Sequence, residues 1–137
     1  MKNSLIFCLL LFNTVAICQE AEPLHHIKSV YFGGGDYYID AQQRQEIKEF
    51  LESIPDLEGY DISVHSHTDN IGSKEYNAWL SEMRSEAAIR EIMKLSIDRE
   101  MISIEDFGEL NPVYDNSTLA GRLRNRRVDI ILKKPLM

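Results

Sequence analysis

The sequence predicts an α+β domain, a two-layer α/β sandwich in the order β-α-β-α-β-β, with its helices packed on one face of a mixed sheet. Short runs rich in β-branched residues alternate with longer segments of helical periodicity. The last two such runs follow one another with no helical pattern between them. The longest apolar run stands apart at the N-terminus, ahead of a chain that is 44% hydrophobic and 27% charged, an ordinary globular balance for one domain.

That N-terminal run opens on Met1-Lys2-Asn3-Ser4 and continues from Leu5 to Ile17, apolar apart from Asn13 and Thr14. At about 1.5 Å per residue, about 13 residues do not span a bilayer but match the apolar region of a secretory signal. Residues 1–18 are therefore expected to be a signal peptide, 19–26 a short lead-in including His25-His26, and 27–134 the folded domain of an exported protein. Val15-Ala16-Ile17-Cys18 resembles a lipobox, in which the cysteine becomes the lipidated first residue, although Ile17 is bulky where a small residue is usual. Ordinary cleavage after Cys18 is the other reading and the favoured one, with Ala16 and Cys18 as the small residues. A membrane is a partner only if Cys18 is lipidated. Cys8 and Cys18 both lie in this leader, so the domain is expected to have neither disulfide nor thiol chemistry. The formal charge is −7 and becomes more negative still when Lys2 leaves, which gives no electrostatic case for binding nucleic acid or anionic lipid.

Ile27 to Phe32 reads as the first strand, closed by Gly33-Gly34-Gly35. Asp40 is a suitable N-cap for a helix from Ala41 to Ser53, with Ile47, Phe50 and Leu51 as its apolar stripe and Pro55 as its stop. From Tyr60 to His67 the chain alternates, Ile62 and Val64 to one side and Ser63, His65 and His67 to the other, as a half-buried strand does. A polar loop, Thr68 to Lys74, leads to a second helix from Glu75 or Tyr76 to Leu95. Ile102 and Ile104 begin a third strand reaching Phe107-Gly108, a long loop carries Pro112, Asn116 and Gly121, and Val128 to Leu132 closes the fold.

On the second helix, Asn77, Ser81, Arg84, Ala88 and Leu95 fall within about 60° of one another at 100° per residue. An arginine in such a core-directed stripe must carry its head out at the sheet edge or find an acidic partner. Asp69, just past the second strand, is placed to meet it at one end of the sheet. Taken alone, the pair reads as a structural ion pair. It also reads as a receptor for a zwitterion, the carboxylate taking an ammonium group and the guanidinium a carboxylate through two parallel hydrogen bonds.

Thr68-Asp69 with Gly72, then Asn77-x-x-Leu80-Ser81-x-x-Arg84, resembles the OmpA-like peptidoglycan-binding domain. Phe107-Gly108-Glu109-x-x-Pro112, Asn116-x-Thr118 and Gly121-Arg122-x-x-Asn125-Arg126-Arg127-Val128-Asp129-Ile130 resemble that family's C-terminal signature, in the right order and spacing. The resemblance covers about Ile27 to Lys133. It implies non-covalent binding of peptidoglycan through the diaminopimelate of its stem peptides, in the periplasm at the cell wall or outer membrane. It implies Asp69 at the ligand's amino group, Arg84 at its carboxylate, and Thr68 and Asn77 lining or bracing the pocket. Gly121, Asn125, Arg126 and Arg127 are expected to be mainly structural, with Gly34, Arg126 and Arg127 at the pocket rim as a minority role. One departure stands out. Phe32-Gly33-Gly34-Gly35-Asp36 replaces an acidic and aromatic stretch that forms a pocket wall in the family, removing side chains and freeing the backbone. A protein–protein module of an envelope complex, with weakened wall binding and an outer-membrane or periplasmic partner, is the competing class.

No catalytic residue, cofactor or metal is expected. His65-x-His67-x-Asp69 has the look of a zinc hydrolase strand, but there is no histidine after His67 to complete a site. No phosphate-binding loop or nucleophile elbow occurs. Trp79 and Tyr76 flank the expected site, and Trp79 reads as a core residue rather than a platform for a sugar.

Overall fold

A computed structural model describes residues 25–135, so the expected signal segment lies outside the described residues. Four strands, β1 (His25–Tyr31), β2 (Asp61–His67), β3 (Ile102–Gly108) and β4 (Arg127–Lys133), alternate with helices α1 (Ala41–Glu52), α2 (Lys74–Met93) and α3 (Leu119–Asn125). They form one mixed sheet in the order β1-β4-β2-β3. β4 runs antiparallel to both β1 and β2, and β2 runs parallel to β3 across the α2 crossover. The predicted fold class and element order hold.

Side-chain alternation decides which face is covered. Val30, Ile62, Val64, Ile102, Val128, Ile130 and Leu132 are buried on one face with Ile47 and Leu51 of α1 and Ala88, Ile89 and Ile92 of α2. Each of the valine, leucine and isoleucine side chains contributes about 1.5–3 kcal/mol when fully buried. α1 starts where predicted, at a capping box: the Gln43 amide donates to the Asp40 carboxylate at 2.8 Å, and the Asp40 amide donates to the Gln43 side chain at 3.0 Å. α2 starts on the hydroxyl of Ser73, which accepts from the Tyr76 amide at 3.1 Å. α2 changes character along its length. From Ala87 onward it buries Ala87, Ala88, Ile89 and Ile92, whereas before that it buries Asn77, Ser81, Arg84 and Ser85 with Leu80 as the one apolar residue among them.

Two expectations are corrected. His25 and His26 are not a loose lead-in but pair with Lys133 and Leu132 as the first residues of β1. The long loop before β4 contains the short helix α3, which has no apolar stripe to announce it, since Leu119 and Leu123 are 62% and 47% exposed. Polar contacts hold it instead. Thr118 caps it by accepting from the Gly121 amide at 3.0 Å, and buried Asn125 accepts from the Tyr114 amide and donates to the Tyr114 carbonyl and the Asn116 side chain. Only glycine fits at 121, because a Cβ there would lie 1.8 Å from the Asp115 carbonyl oxygen.

Candidate functional site

The carboxyl end of β2, the N-terminal half of α2, the triglycine loop and the end of α3 converge on a cleft of about 220 Å³. Gly34, Gly35, Thr68, Asp69, Ile71, Gly72, Tyr76, Leu80, Arg84 and Arg126 line it. Of the residues singled out in the sequence, Thr68, Asp69, Arg84, Gly34 and Arg126 are brought together here.

Arg84 is completely buried. Its Nε donates to the Asp36 carbonyl at 2.8 Å, Nη1 to the His67 carbonyl at 3.0 Å and Nη2 to the Gly33 carbonyl at 3.0 Å, while its guanidinium carbon lies 4.9 Å from the centre of the Phe32 ring. Burial pushes its pKa down to about 10, an effect that neighbouring Asp69 opposes and Arg126 reinforces. At that value Arg84 is still a cation at neutral pH. The fork is thus held by main-chain oxygens of β2 and of the triglycine loop. Since each terminal nitrogen carries two N–H groups and spends one on a carbonyl, each keeps one in reserve.

Asp69 is likewise buried, and its two oxygens have different partners. Oδ1 accepts from the Ile71 amide at 3.1 Å, and Oδ2 accepts from Arg126 Nε at 2.6 Å. Among the described residues, no hydrogen bond or ion pair joins Asp69 directly to Arg84. The cleft therefore gathers one carboxylate and two guanidinium groups, a local excess of positive charge in an acidic protein. Gly34 borders the Arg126 guanidinium, where a Cβ would rest in ordinary van der Waals contact at 3.5 Å. The next residue, Gly35, has φ +70°, which calls for glycine, and a Cβ on it would press on the Tyr76 hydroxyl at 3.0 Å.

Thr68 is buried in the wall, its hydroxyl donating to the Asp69 carbonyl at 3.0 Å. Asn77 does not line the cleft but braces it, donating to the Asp69 carbonyl at 3.3 Å and to Glu109 at 2.8 Å. Ser81 accepts from the Gly108 amide at 3.2 Å and fastens the end of β3 to α2. Arg127 is not brought to the cleft. One residue beyond Arg126, it points to the uncovered face of the sheet, where Nε donates to Asp129 at 2.9 and 3.1 Å and the guanidinium lies over Tyr114. His67 is on that uncovered face too, stacked on Phe107 at 4.9 Å. Desolvation pushes its pKa down to about 4, with Arg127 adding to the effect and Asp129 opposing it.

Sequence reasoning missed the carbonyls of Gly33 and Asp36 as the partners of Arg84, and side-chain identity carries no signal for them. It also missed Ile71 and Leu80 as lining residues. For Leu80 a signal existed, because Tyr76, Leu80 and Arg84 recur every four residues on one line of α2. Trp79 is not in the core but 43% exposed. A larger groove of about 960 Å³ lies at the other end of β2, among Leu57, Tyr60, Leu95 and Met101, remote from the Asp69 carboxylate and both cleft arginines.

The family model of the OmpA family matches residues 31–126. The chain is 31% identical over 103 residues to the outer-membrane lipoprotein YfiB of Pseudomonas aeruginosa, covering 75% of this chain and 61% of that protein. It is 36% identical over 122 residues to outer membrane protein A of Bordetella avium, covering 85% of this chain and 63% of that protein. The match thus spans a little over three fifths of each of these two relatives. Among solved structures, the peptidoglycan-associated lipoprotein from Burkholderia pseudomallei superposes with a TM-score of 0.69 at 26% identity, over 77% of this chain and 89% of that one.

Proposed function

The chain belongs to the OmpA family, and from that premise we propose that its cleft binds peptidoglycan non-covalently, gripping the diaminopimelate of a stem peptide, and that the protein tethers or decorates the cell wall without catalysing a reaction. The observation that carries this reading is the buried guanidinium of Arg84, fixed by three main-chain oxygens beside a buried carboxylate it does not bond. A buried cation held this way is oriented but not neutralised, and an incoming carboxylate supplies the missing charge. The free N–H on each terminal nitrogen of Arg84 offers that carboxylate two donors. Asp69 takes the ammonium group on the same carbon, since each of its oxygens has a second acceptor site beyond the Ile71 amide and Arg126. Arg126 holds Asp69 in place before the ligand arrives.

Such a site gives a few charge-assisted bonds, each about 1.5–3 kcal/mol, against the entropy of association, so a free fragment binds in the range of about µM to mM. Multiple copies on the wall raise retention well above that. Residues 1–18 act as the export signal and place the chain in the periplasm at the cell wall or outer membrane, with membrane attachment if Cys18 is lipidated. The competing protein-interaction reading rests on the triglycine wall as a sign of weakened binding. The use of the Gly33 and Asp36 carbonyls to seat Arg84 supports a working wall instead.

Co-sedimentation with purified sacculi tests the proposal. The wild-type chain is expected in the pellet, and D69N and R84K in the supernatant, since the first removes the ammonium partner and the second the planar fork. Pelleting of D69N at the wild-type level would contradict the assignment.

A further inference from the structure

Beside the cleft lies an aromatic group that the contacts above leave unused. Tyr37, Tyr76 and Trp79 are 41%, 42% and 43% exposed, and their rings meet: Trp79 lies 5.8 Å from Tyr37, nearly edge-on at 82°, and 5.7 Å from Tyr76 at 37°. The group is built from both walls of the cleft. Tyr76 and Trp79 come from the first turns of α2, and Tyr76 itself lines the cleft. Tyr37 comes from the loop whose Asp36 carbonyl is held by Arg84, and the Asp36 carboxylate accepts from the Tyr38 amide at 2.8 Å, so the Tyr37 peptide is fixed on both sides. A contiguous, uncharged aromatic surface that stays in water on a rigid mount marks a ligand contact.

We infer that this group is a carbohydrate subsite, in which Trp79 with Tyr37 stacks on a pyranose ring of the glycan strand that carries the bound stem peptide. The inference rests on the reading of the cleft as a stem-peptide site. A pyranose offers a face of C–H bonds that matches the electron-rich face of an indole or phenol ring. Its hydroxyls point away from that face into water, which an open platform allows and a closed pocket does not. Connectivity supplies the distance argument. Two or three peptide residues span about 7–10 Å, and Trp79 sits one ring beyond Tyr76 at the cleft wall, within that reach. A charged partner has little to hold here, because the group presents aromatic rings and no acidic or basic side chain.

Trp79 is the single tryptophan of the sequence, so its fluorescence reports on this group directly. The folded chain is titrated with three probes: chitotetraose, a diaminopimelate tripeptide without sugar, and the same tripeptide on its disaccharide. Chitotetraose is expected to shift Trp79 emission saturably, and the disaccharide-peptide to bind about five- to tenfold more tightly than the bare peptide. By calorimetry, W79A and Y37A each are expected to erase that advantage while leaving bare-peptide affinity unchanged, and W79F to retain part of it. Equal affinity for the two peptides in the wild type, or an advantage that survives in W79A, overturns the inference and leaves the patch to a protein partner. If chitotetraose still shifts Trp79 but the bare peptide does not bind, the stem-peptide reading fails and the carbohydrate subsite stands. If the bare peptide binds and the sugar adds nothing, only the subsite fails. Failure of all three probes to bind removes both.

Discussion

Two neighbouring arginines, Arg126 and Arg127, each pair with an aspartate on opposite faces of one sheet. The pairs are alike in length, 2.6 Å for Arg126–Asp69 and 2.9 Å for Arg127–Asp129, and alike in burial, with side-chain exposures of 14% and 8% against 7% and 13%. Their surroundings differ. Asp129 also accepts from Ser29 at 2.6 Å, Arg127 also donates to the Arg124 carbonyl, and Tyr114 lies beneath the guanidinium, so the second pair closes on itself. The first pair borders an open cleft and shares it with Arg84, whose charge no carboxylate neutralises. An arginine–aspartate contact is therefore not a site in itself. A site arises where such a pair is left beside free volume and an unmatched charge.

The largest effect that sharpens this contrast is on Arg84 itself. R84A leaves three carbonyls from two segments without their donor and opens a void, so it is expected to cost about 3–4 kcal/mol in urea unfolding. The sequence places the Arg84 head at the sheet edge or on an acidic partner, whereas three main-chain carbonyls hold it inside the fold. Next is D129N, which strands Arg127 under Tyr114 and is expected to cost about 2–3 kcal/mol while leaving sedimentation with sacculi at the wild-type level. The His67 beside that pair gives a smaller, pH-dependent signal. Its pKa is lowered in the fold from 6.5 to about 4, so the unfolded chain binds the proton first. Stability is then complete above pH 6.5 and falls by about 1–2 kcal/mol as pH drops toward 4, the full shift being discounted for partial solvent screening. In urea unfolding at pH 7.5, 5.5 and 4.5, H67Q is expected to lack that part of the loss. Smallest in stability is D69N, expected within about 1 kcal/mol of wild type because the cleft lets water reach Arg126, yet with wall binding lost. If D69N and D129N behaved alike in both assays, the distinction between the two pairs would fail.

Much of this was legible in the sequence where periodicity and capping speak for themselves. Asp40 announces α1, the alternation around Ile62 and Val64 gives β2, and the spacing from Asn77 to Arg84 puts one polar line on α2. Arg84 stood out because a charge in a core-directed stripe needs a reason, and Asp69 because it follows the second strand at the same end of the sheet. What could not be read has a physical cause in each case. α3 is held by Thr118 and Asn125 rather than by burial, so it lacks a hydrophobic period. Arg126 and Arg127 are adjacent in sequence but opposite in direction, and the exact start of β4 decides which one faces the cleft. The anchoring of Arg84 depends on main-chain carbonyls, which every residue has. Trp79 follows the composition rule for a core residue and breaks it, since its position on α2 faces outward beside Tyr76.

Recognition of a zwitterionic carbon, ammonium at Asp69 and carboxylate at Arg84, is tested most directly by calorimetric titration of the folded chain with two tripeptides that differ only in carrying diaminopimelate or lysine. Lysine keeps the ammonium group and lacks the carboxylate beside it. A loss of about tenfold or more for the lysine peptide is expected, and equal affinity for both would contradict the account.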